Sequence, residues 1–385
     1  MRPGWPMPES ESAPAAPLAF AGGGSGGHLS PGLAVAERLI SLSPQVRPLF
    51  LCSTRTIDAT MLREAGAEFV QVPAEPPSLR PLKLLRCAAA WRTSKVVAAR
   101  ELRRRQVRQV VSLGGFVAAP VVRSARRAGL GVTILNLDAT PGRANWWIAR
   151  RADRVWSAVP TSGLPRWDGQ VLGFPVRRSA MAPGDAAACR AELGLDPARR
   201  TLLVTGASQG AASLNAFVPH FAARQADALH GWQVLHLAGA MDKDAMESIR
   251  DRYRKAEVPA VVLTFLHRMG LAWGAADLAI SRAGANSVAE ARVNRVPCLF
   301  VPYPFHKDLH QRQNARELVE AGAAAIALDA VDAKANMIGM GRLLESLLTD
   351  GPSRDRMHAA LERMPGGDAA LQIAQRLLQV LEGGA

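Results

Sequence analysis

SRAGANSVAEARVNRVPCLFVPYPFHKDLHQRQ, residues 281–313, is the stretch that decides the fold. The apolar run Leu278-Ala279-Ile280 feeds it and reads as a buried strand, and the small residues Ala283 and Gly284 then open a helix that carries Glu290. Pro297 to Val301 reads as a second strand, followed by Pro302, Pro304 and the polar segment HKDLHQRQ. A loop of small residues between a buried strand and a helix exposes backbone N–H groups at the positive end of the helix dipole, which suits a phosphate. Glu290, one helical turn in, can face a sugar hydroxyl. The stretch therefore reads as a nucleotide-sugar site.

The same plan recurs along the chain. Leu18 to Ala21 is a short apolar strand that runs into Gly22-Gly23-Gly24-Ser25-Gly26-Gly27-His28 and a helix expected over Gly32 to Ile40. Glycines at 22, 24 and 27 satisfy G-x-G-x-x-G, but a dinucleotide site also needs an acid about 20 residues on to hold the ribose. No acid stands between Glu37 and Asp58, so the NAD reading loses support. Gln109 to Leu113 is a strand ending in Gly114-Gly115, and Val132 to Leu137 is a strand followed by Asp138 and Thr140. Further strands are read at Val46 to Cys52, the GAEFVQVP stretch at 66–73, Thr201 to Thr205, Gln233 to Leu237 and Ala260 to Leu263. Strands alternating with helices at this spacing give parallel βαβ units, with ligands at the carboxyl ends of the strands.

At 385 residues the chain exceeds one ordinary core. The expected division is a flexible tail over 1–17, a first Rossmann-like domain over 18–176 and a second over 177–367. VLGFPVR at 171–177 forms the linker, and the helix in 368–385 is expected to pack back on the first domain. Hydrophobic content of 48% supports globular structure, and the four cysteines show no CxxC spacing, as expected of thiols in a reducing compartment. The tail lacks the apolar core of a signal peptide, and no run reaches the roughly 18 apolar residues a bilayer requires. The net charge of +14 is uneven: Leu79 to Arg108 holds ten basic residues against Glu101 alone, interleaved with Leu82, Leu84, Leu85, Trp91, Val96 and Val97. Such a basic amphipathic segment suits an anionic membrane face, each basic residue contributing about 1 kcal/mol near it. Its bland reading is a solvated helix face. Nucleic acid would accept the charge too, but no DNA- or RNA-binding motif accompanies it.

TGASQGAA at 205–212 and the Tyr303/Lys307 spacing imitate a short-chain dehydrogenase, but Pro304 opposes a helix from Tyr303 and Ala212 stands where that family has glycine. His306 and His310 are four apart without a third ligand, so no metal site is expected. His28 sits at a helix N-terminus, whose dipole favours the neutral imidazole that a general base needs; the alternative is a loop histidine that only caps or packs. Glu290 is either a sugar ligand or a solvated helix acid. Arg177 either pairs with a surface carboxylate or reaches a diphosphate.

Taken together, GGGSGGHLSPGLAVAERL, LGGFVAAP, NWWIARRADRV, GFPVR, GASQGAASLN, SRAGANSVAEA and the run from Val296 to Ala324 make the chain resemble the MurG family, the N-acetylglucosaminyltransferases of peptidoglycan synthesis within glycosyltransferase family 28. The resemblance implies an α/β GT-B fold, two Rossmann-like domains with parallel sheets facing across a cleft. It implies inverting transfer from UDP-GlcNAc, without metal or other cofactor, to a polyprenyl-diphosphate-linked muramyl peptide at the cytoplasmic face of the bacterial inner membrane. By position, Ser208 and Arg177 would hold the diphosphate, Leu266 the uracil edge, Ala285, Asn286 and Ser287 the phosphates, Glu290 the ribose and Gln311 the GlcNAc hydroxyls. Ser25, Gly26 and Gly27 match the loop that touches donor and acceptor diphosphate, and His28 matches the position assigned as base. The family's His-Glu-Gln-Asn run is replaced by Asn136-Leu137-Asp138-Ala139-Thr140, where Asp138 or Thr140 would supply the missing polar groups. Phe116, Phe174 and His310 stand where the family has Tyr, Asn and Gln. Two competing readings remain, a related transferase with another acceptor and a UDP-sugar-binding protein without turnover.

Overall fold

Leu18–Ala21 (β1) is a four-residue strand buried on both faces, which requires apolar layers above and below it. Leu18 and Phe20 point into a cluster with Leu29, Leu33 and Leu39 of the helix Leu29–Leu42 and with Ile373, Ala374 and Leu377 of the helix Ala369–Glu382. Ala19 and Ala21 point the other way, against Ala98 and Leu102 of the helix Pro81–Arg104 and Val121, Val122 and Ala125 of the helix Ala118–Arg127. Each fully buried Leu or Phe contributes ~1.5–3 kcal/mol, so the two layers hold the strand from both sides.

The computed structural model describes residues 17–24, 27–76, 81–206, 210–305 and 310–383, with backbone alone at 81–83 and 310. Ser25, Gly26, Ser208, the expected tail up to residue 16, and Leu79 and Arg80 of the basic segment lie outside the described residues.

β1 is joined by Leu49–Cys52 (β2), Glu68–Gln71 (β3), Gln109–Ser112 (β4), Gly131–Asn136 (β5) and Arg154–Ser157 (β6) in a sheet of order β3-β2-β1-β4-β5-β6. Its pairs are parallel, with Ala19 opposite Leu49 on one side and Val110 on the other. The second sheet contains Arg200–Thr205 (β7), Trp232–Leu237 (β8), Ala260–Leu263 (β9), Leu278–Ser281 (β10), Cys298–Phe300 (β11) and Ala324–Ile326 (β12), ordered β12-β11-β10-β7-β8-β9. Read from its own first strand, this is the same permutation, again parallel throughout. In both sheets the order reverses beside the first strand, between β1 and β4 and between β7 and β10. Ligands bind outside the carboxyl ends of the strands at such a switch point.

Two compact units result: the chain up to Arg177 together with the segment from Asp368, and Arg178–Gly367. Arg177 thus falls in the first unit, one residue from the expected boundary. β6 and β12, the last strand of each sheet, were not among the expected strands. The helix at the first glycine loop starts at Leu29, three residues before the expected Gly32, because Pro31 is tolerated in a helix's first turn.

Candidate active site

In unit 1 the loop after β1 is fixed by a side chain that the motifs do not include. Asp58, fully buried on the helix Thr56–Glu64, accepts from Gly24 N at 2.7 Å, Ser53 Oγ at 2.6 Å and Ser53 N at 3.3 Å through Oδ2. Arg55 donates to Gly24 O and lies 5.6 Å from the Phe116 ring centroid. The first acid after Glu37 therefore anchors the glycine loop. Burial, reinforced by the Asp58 charge, pushes the nearby Cys52 thiol up to about 12, so it stays protonated and inert. Gly115, after β4, has φ +81°, and a Cβ there would stand 2.8 Å from Gly23 O. The two switch-point loops approach as closely as backbone permits.

His28 occupies the N-cap of the helix Leu29–Leu42 and makes no side-chain capping bond. Its Nε2 lies 4.0 Å from Asp138 Oδ2, and its buried Nδ1 has no hydrogen-bond partner among the described residues. The loop carrying Asp138 is held from beneath. Asn136 Nδ2 donates to Asp138 O at 2.7 Å and to Ser157 Oγ at 3.0 Å, while Asn136 Oδ1 accepts from Asn145 Nδ2 at 3.0 Å. All three polar residues are buried. The segment in which this chain departs from the family run is therefore an ordered network that presents Asp138 to His28. Thr140 is exposed nearby in sequence, and Gly27 adjoins His28.

In unit 2 the loop after β10 leads into the helix Ala285–Val293, with Gly284 as N-cap, so Ala285, Asn286 and Ser287 form its first turn. Arg282, within the loop, is buried and bonds in several directions: NH1 lies 2.8 Å from Asp329 Oδ2 and 3.1 Å from Val301 O, and NH2 donates to Ser213 Oγ at 2.8 Å. Ser213 in turn donates to Asp329 Oδ2 at 2.5 Å. Burial alone would raise the Asp329 carboxyl, but bonds from Ser213, Asn336, Val331 N and Arg282 outweigh it and hold the group below the usual carboxylate range. This cluster ties the phosphate-type loop to the helix Ala212–Arg224, which follows β7. Glu290 Oε2 accepts from the Trp273 indole at 2.8 Å. Leu266 is partly buried just past β9, and Gln311 Oε1 accepts from Tyr303 N at 2.8 Å, securing the turn after β11.

Family models match both units: the Glycosyltransferase family 28 N-terminal domain over residues 18–157 and the Glycosyltransferase family 28 C-terminal domain over 201–359. A Mycobacterium tuberculosis protein named UDP-N-acetylglucosamine--N-acetylmuramyl-(pentapeptide) pyrophosphoryl-undecaprenol N-acetylglucosamine transferase is 37% identical over 97% of this chain and 91% of its own length. The chain belongs to glycosyltransferase family 28. A Nocardioides relative of the same name in that family is also 37% identical, over 94% of this chain and 97% of its own. In fold, this family 28 chain is similar to the crystal structure of Acinetobacter baumannii MurG, with TM-score 0.70 and 24% identity over 95% of this chain and all of that one. It is also similar to a UDP-glucosyltransferase from Polygonum tinctorium, with TM-score 0.63 and 14% identity over 97% of this chain and all of the other. The fold is thus GT-B-like, two Rossmann-type units with parallel sheets.

Against the family 28 pattern, unit 1 brings together Gly27, His28 and Asp138, and unit 2 sets Ala285, Asn286, Ser287 and Glu290 on one helix. Arg177 lies in unit 1, where Nε donates to Glu37 Oε1 at 3.1 Å. The motifs did not reveal Asp58, Asn145, Arg282, Asp329 or Trp273 as supports. Arg282 and Asn145 fall within the motifs SRAGANSVAEA and NWWIARRADRV, but neither was read there as a support.

Proposed function

We propose that the chain moves GlcNAc from UDP-GlcNAc to a polyprenyl-diphosphate-linked N-acetylmuramyl-pentapeptide, converting lipid I to lipid II with inversion at the anomeric carbon. The single observation that carries this is 37% identity over 97% of the chain to a protein named for that transfer. The donor is assigned to unit 2. Main-chain N–H groups of Ala285, Asn286 and Ser287, at the positive end of their helix, receive the phosphates, with Ser208 assigned by resemblance. Glu290 accepts from the ribose diol, the backbone at Leu266 meets uracil, and Gln311 meets the sugar hydroxyls. The acceptor diphosphate is assigned to the glycine loop of unit 1, with Ser25, Gly26 and Gly27 as its contacts and Thr140 as a further polar contact.

In the step itself the acceptor hydroxyl gives its proton to the His28 imidazole while its oxygen bonds to the anomeric carbon and the bond from that carbon to UDP breaks. Asp138, 4.0 Å from Nε2, stabilises the imidazolium that forms. Charge developing on the departing UDP is taken up by the oriented N–H groups of the helix Ala285–Val293.

The helix Pro81–Arg104 is read as a dock for the anionic cytoplasmic face of the inner membrane. Leu84 and Leu85 are 56% and 70% exposed on it, and Trp91 meets Trp147 edge-on at 6.2 Å. Trp146, exposed beside Trp147, stacks with Arg150 at 3.9 Å. Aromatic and basic residues together suit a membrane interface. No helix of the described residues is long and apolar enough to cross a membrane. Purified protein given radiolabelled UDP-GlcNAc and lipid-linked acceptor should form labelled disaccharide-lipid. Transfer to another lipid in preference, or donor consumption without lipid product, would refute the assignment.

A further inference from the structure

Glu290 is gripped by a residue to which nothing above gives a part in donor binding. Trp273, on the helix Met269–Ala275, is 1% exposed, and its indole Nε1 donates to Glu290 Oε2 at 2.8 Å. An indole has a single N–H and no acceptor, so a buried tryptophan commits that proton to one partner. The ring itself lies in the core of unit 2. It packs with Leu271, Ala272, Val288 and Ala291, the last two from the helix of Glu290. Its own helix is drawn tight by flanking glycines: a Cβ at Gly270 would stand 2.0 Å from Met181 O, and one at Gly274 would stand 2.6 Å from Cys189 Sγ.

A glutamate on a helix surface otherwise samples several rotamers, and binding a diol would freeze one of them at an entropic cost. We propose that Trp273 is a positioning residue that holds the Glu290 carboxylate in the orientation that meets the ribose diol of the donor, and so sets preference for ribonucleoside over deoxyribonucleoside diphosphates. This rests on the reading of Glu290 as the ribose ligand.

Calorimetry on the full chain with UDP, 2′-deoxy-UDP and 3′-deoxy-UDP tests it. Bonds to a charged group lead us to expect UDP to bind about 10–100-fold tighter than either deoxy analogue. In Trp273→Phe, which keeps an aromatic ring and loses the N–H, that ratio should narrow about 3–10-fold through weaker UDP binding, the analogues changing little. Glu290→Gln should narrow it further. A ratio unmoved by Glu290→Gln overturns the ribose reading itself. A ratio that collapses in Glu290→Gln yet is unchanged in Trp273→Phe overturns the positioning role alone. Equal weakening of all three nucleotides marks Trp273 as packing only and also overturns it. If the Phe variant does not fold, benzothienylalanine at position 273 replaces the N–H by sulfur at nearly the same volume, and the same ratios decide.

Discussion

His28 and Asp138 approach to 4.0 Å from loops that follow different strands of one sheet, a separation at which a carboxylate still acts on an imidazolium without a direct hydrogen bond. Replacing His28 by Ala should lower kcat about 10²–10⁴-fold with little change in donor KM, whereas Asp138→Asn should cost less, because it removes support and not the base. Steady-state transfer rates check both, and full activity in His28→Ala refutes the assignment. Gly115→Ala adds a Cβ at φ +81° and 2.8 Å from Gly23 O, so it should destabilise unit 1 by about 1–3 kcal/mol in urea unfolding. The glycines at 23, 24, 114 and 115 were legible as turn positions because a positive φ limits which residues can occupy them. Asp58 and Trp273 were not, because their partners Gly24 and Glu290 are 34 and 17 residues away and become neighbours only through the fold.

Strands announce themselves by apolar runs, which made β1, β4, β7 and β10 readable, and with them both switch points. β6, with the sequence Arg-Val-Trp-Ser, begins on a charge and follows the basic run Arg150-Arg151, and β12, Ala-Ala-Ile, is three residues long, so neither carries that signal. They form because a neighbouring strand offers its edge. The phosphate-type loop of unit 2 depends on an element-level tie as well. Asp329→Asn removes the counter-charge from buried Arg282 and should cost about 3–5 kcal/mol, measured by denaturant unfolding. Because the Asp329 carboxyl is held below its usual value, the pair should give its full contribution above the ordinary carboxylate pKa of the unfolded chain and lose it progressively as pH falls from there through that lowered value. On the helix Pro81–Arg104, Leu84→Glu with Leu85→Glu should reduce binding to anionic vesicles at least about tenfold while transfer to a detergent-solubilised acceptor persists. Unchanged co-sedimentation would remove the membrane role.

Each unit has its own six-stranded sheet, so ligand and pH effects on stability can be assigned unit by unit. In unit 2 fully buried His236 is bonded by Tyr253 OH at 2.8 Å and by Asn215 Oδ1 at 3.0 Å, and Asn215 Nδ2 donates to Ala238 O at 2.7 Å. Since the Asn215 oxygen accepts, His236 Nε2 carries the proton and Nδ1 accepts from the tyrosine. Burial lowers His236 from 6.5 to about 3. The unfolded chain therefore takes up a proton that the folded chain refuses, and stability should fall by up to ~1.4 kcal/mol per pH unit as pH drops from about 6.5 toward 3. In His236→Gln that slope should vanish, so the difference in unfolding free energy between the two proteins should change by about 2 kcal/mol from pH 7 to pH 5.

Unit 1 is not one continuous stretch of chain. Its first cluster joins Leu29, Leu33 and Leu39 to Ile373, Leu377 and Leu381, and Arg38 Nε bonds Asp368 Oδ2 at 2.9 Å across 330 residues. During synthesis on the ribosome, the part of the apolar cluster around Leu33 that Ile373, Leu377 and Leu381 cover stays open until the codons near residue 381 have been read. Unit 2, bounded by Arg178 and Gly367, has all its strands before then. The nascent polypeptide should thus complete its later half first, and its earlier half should be the part that needs chaperone shelter.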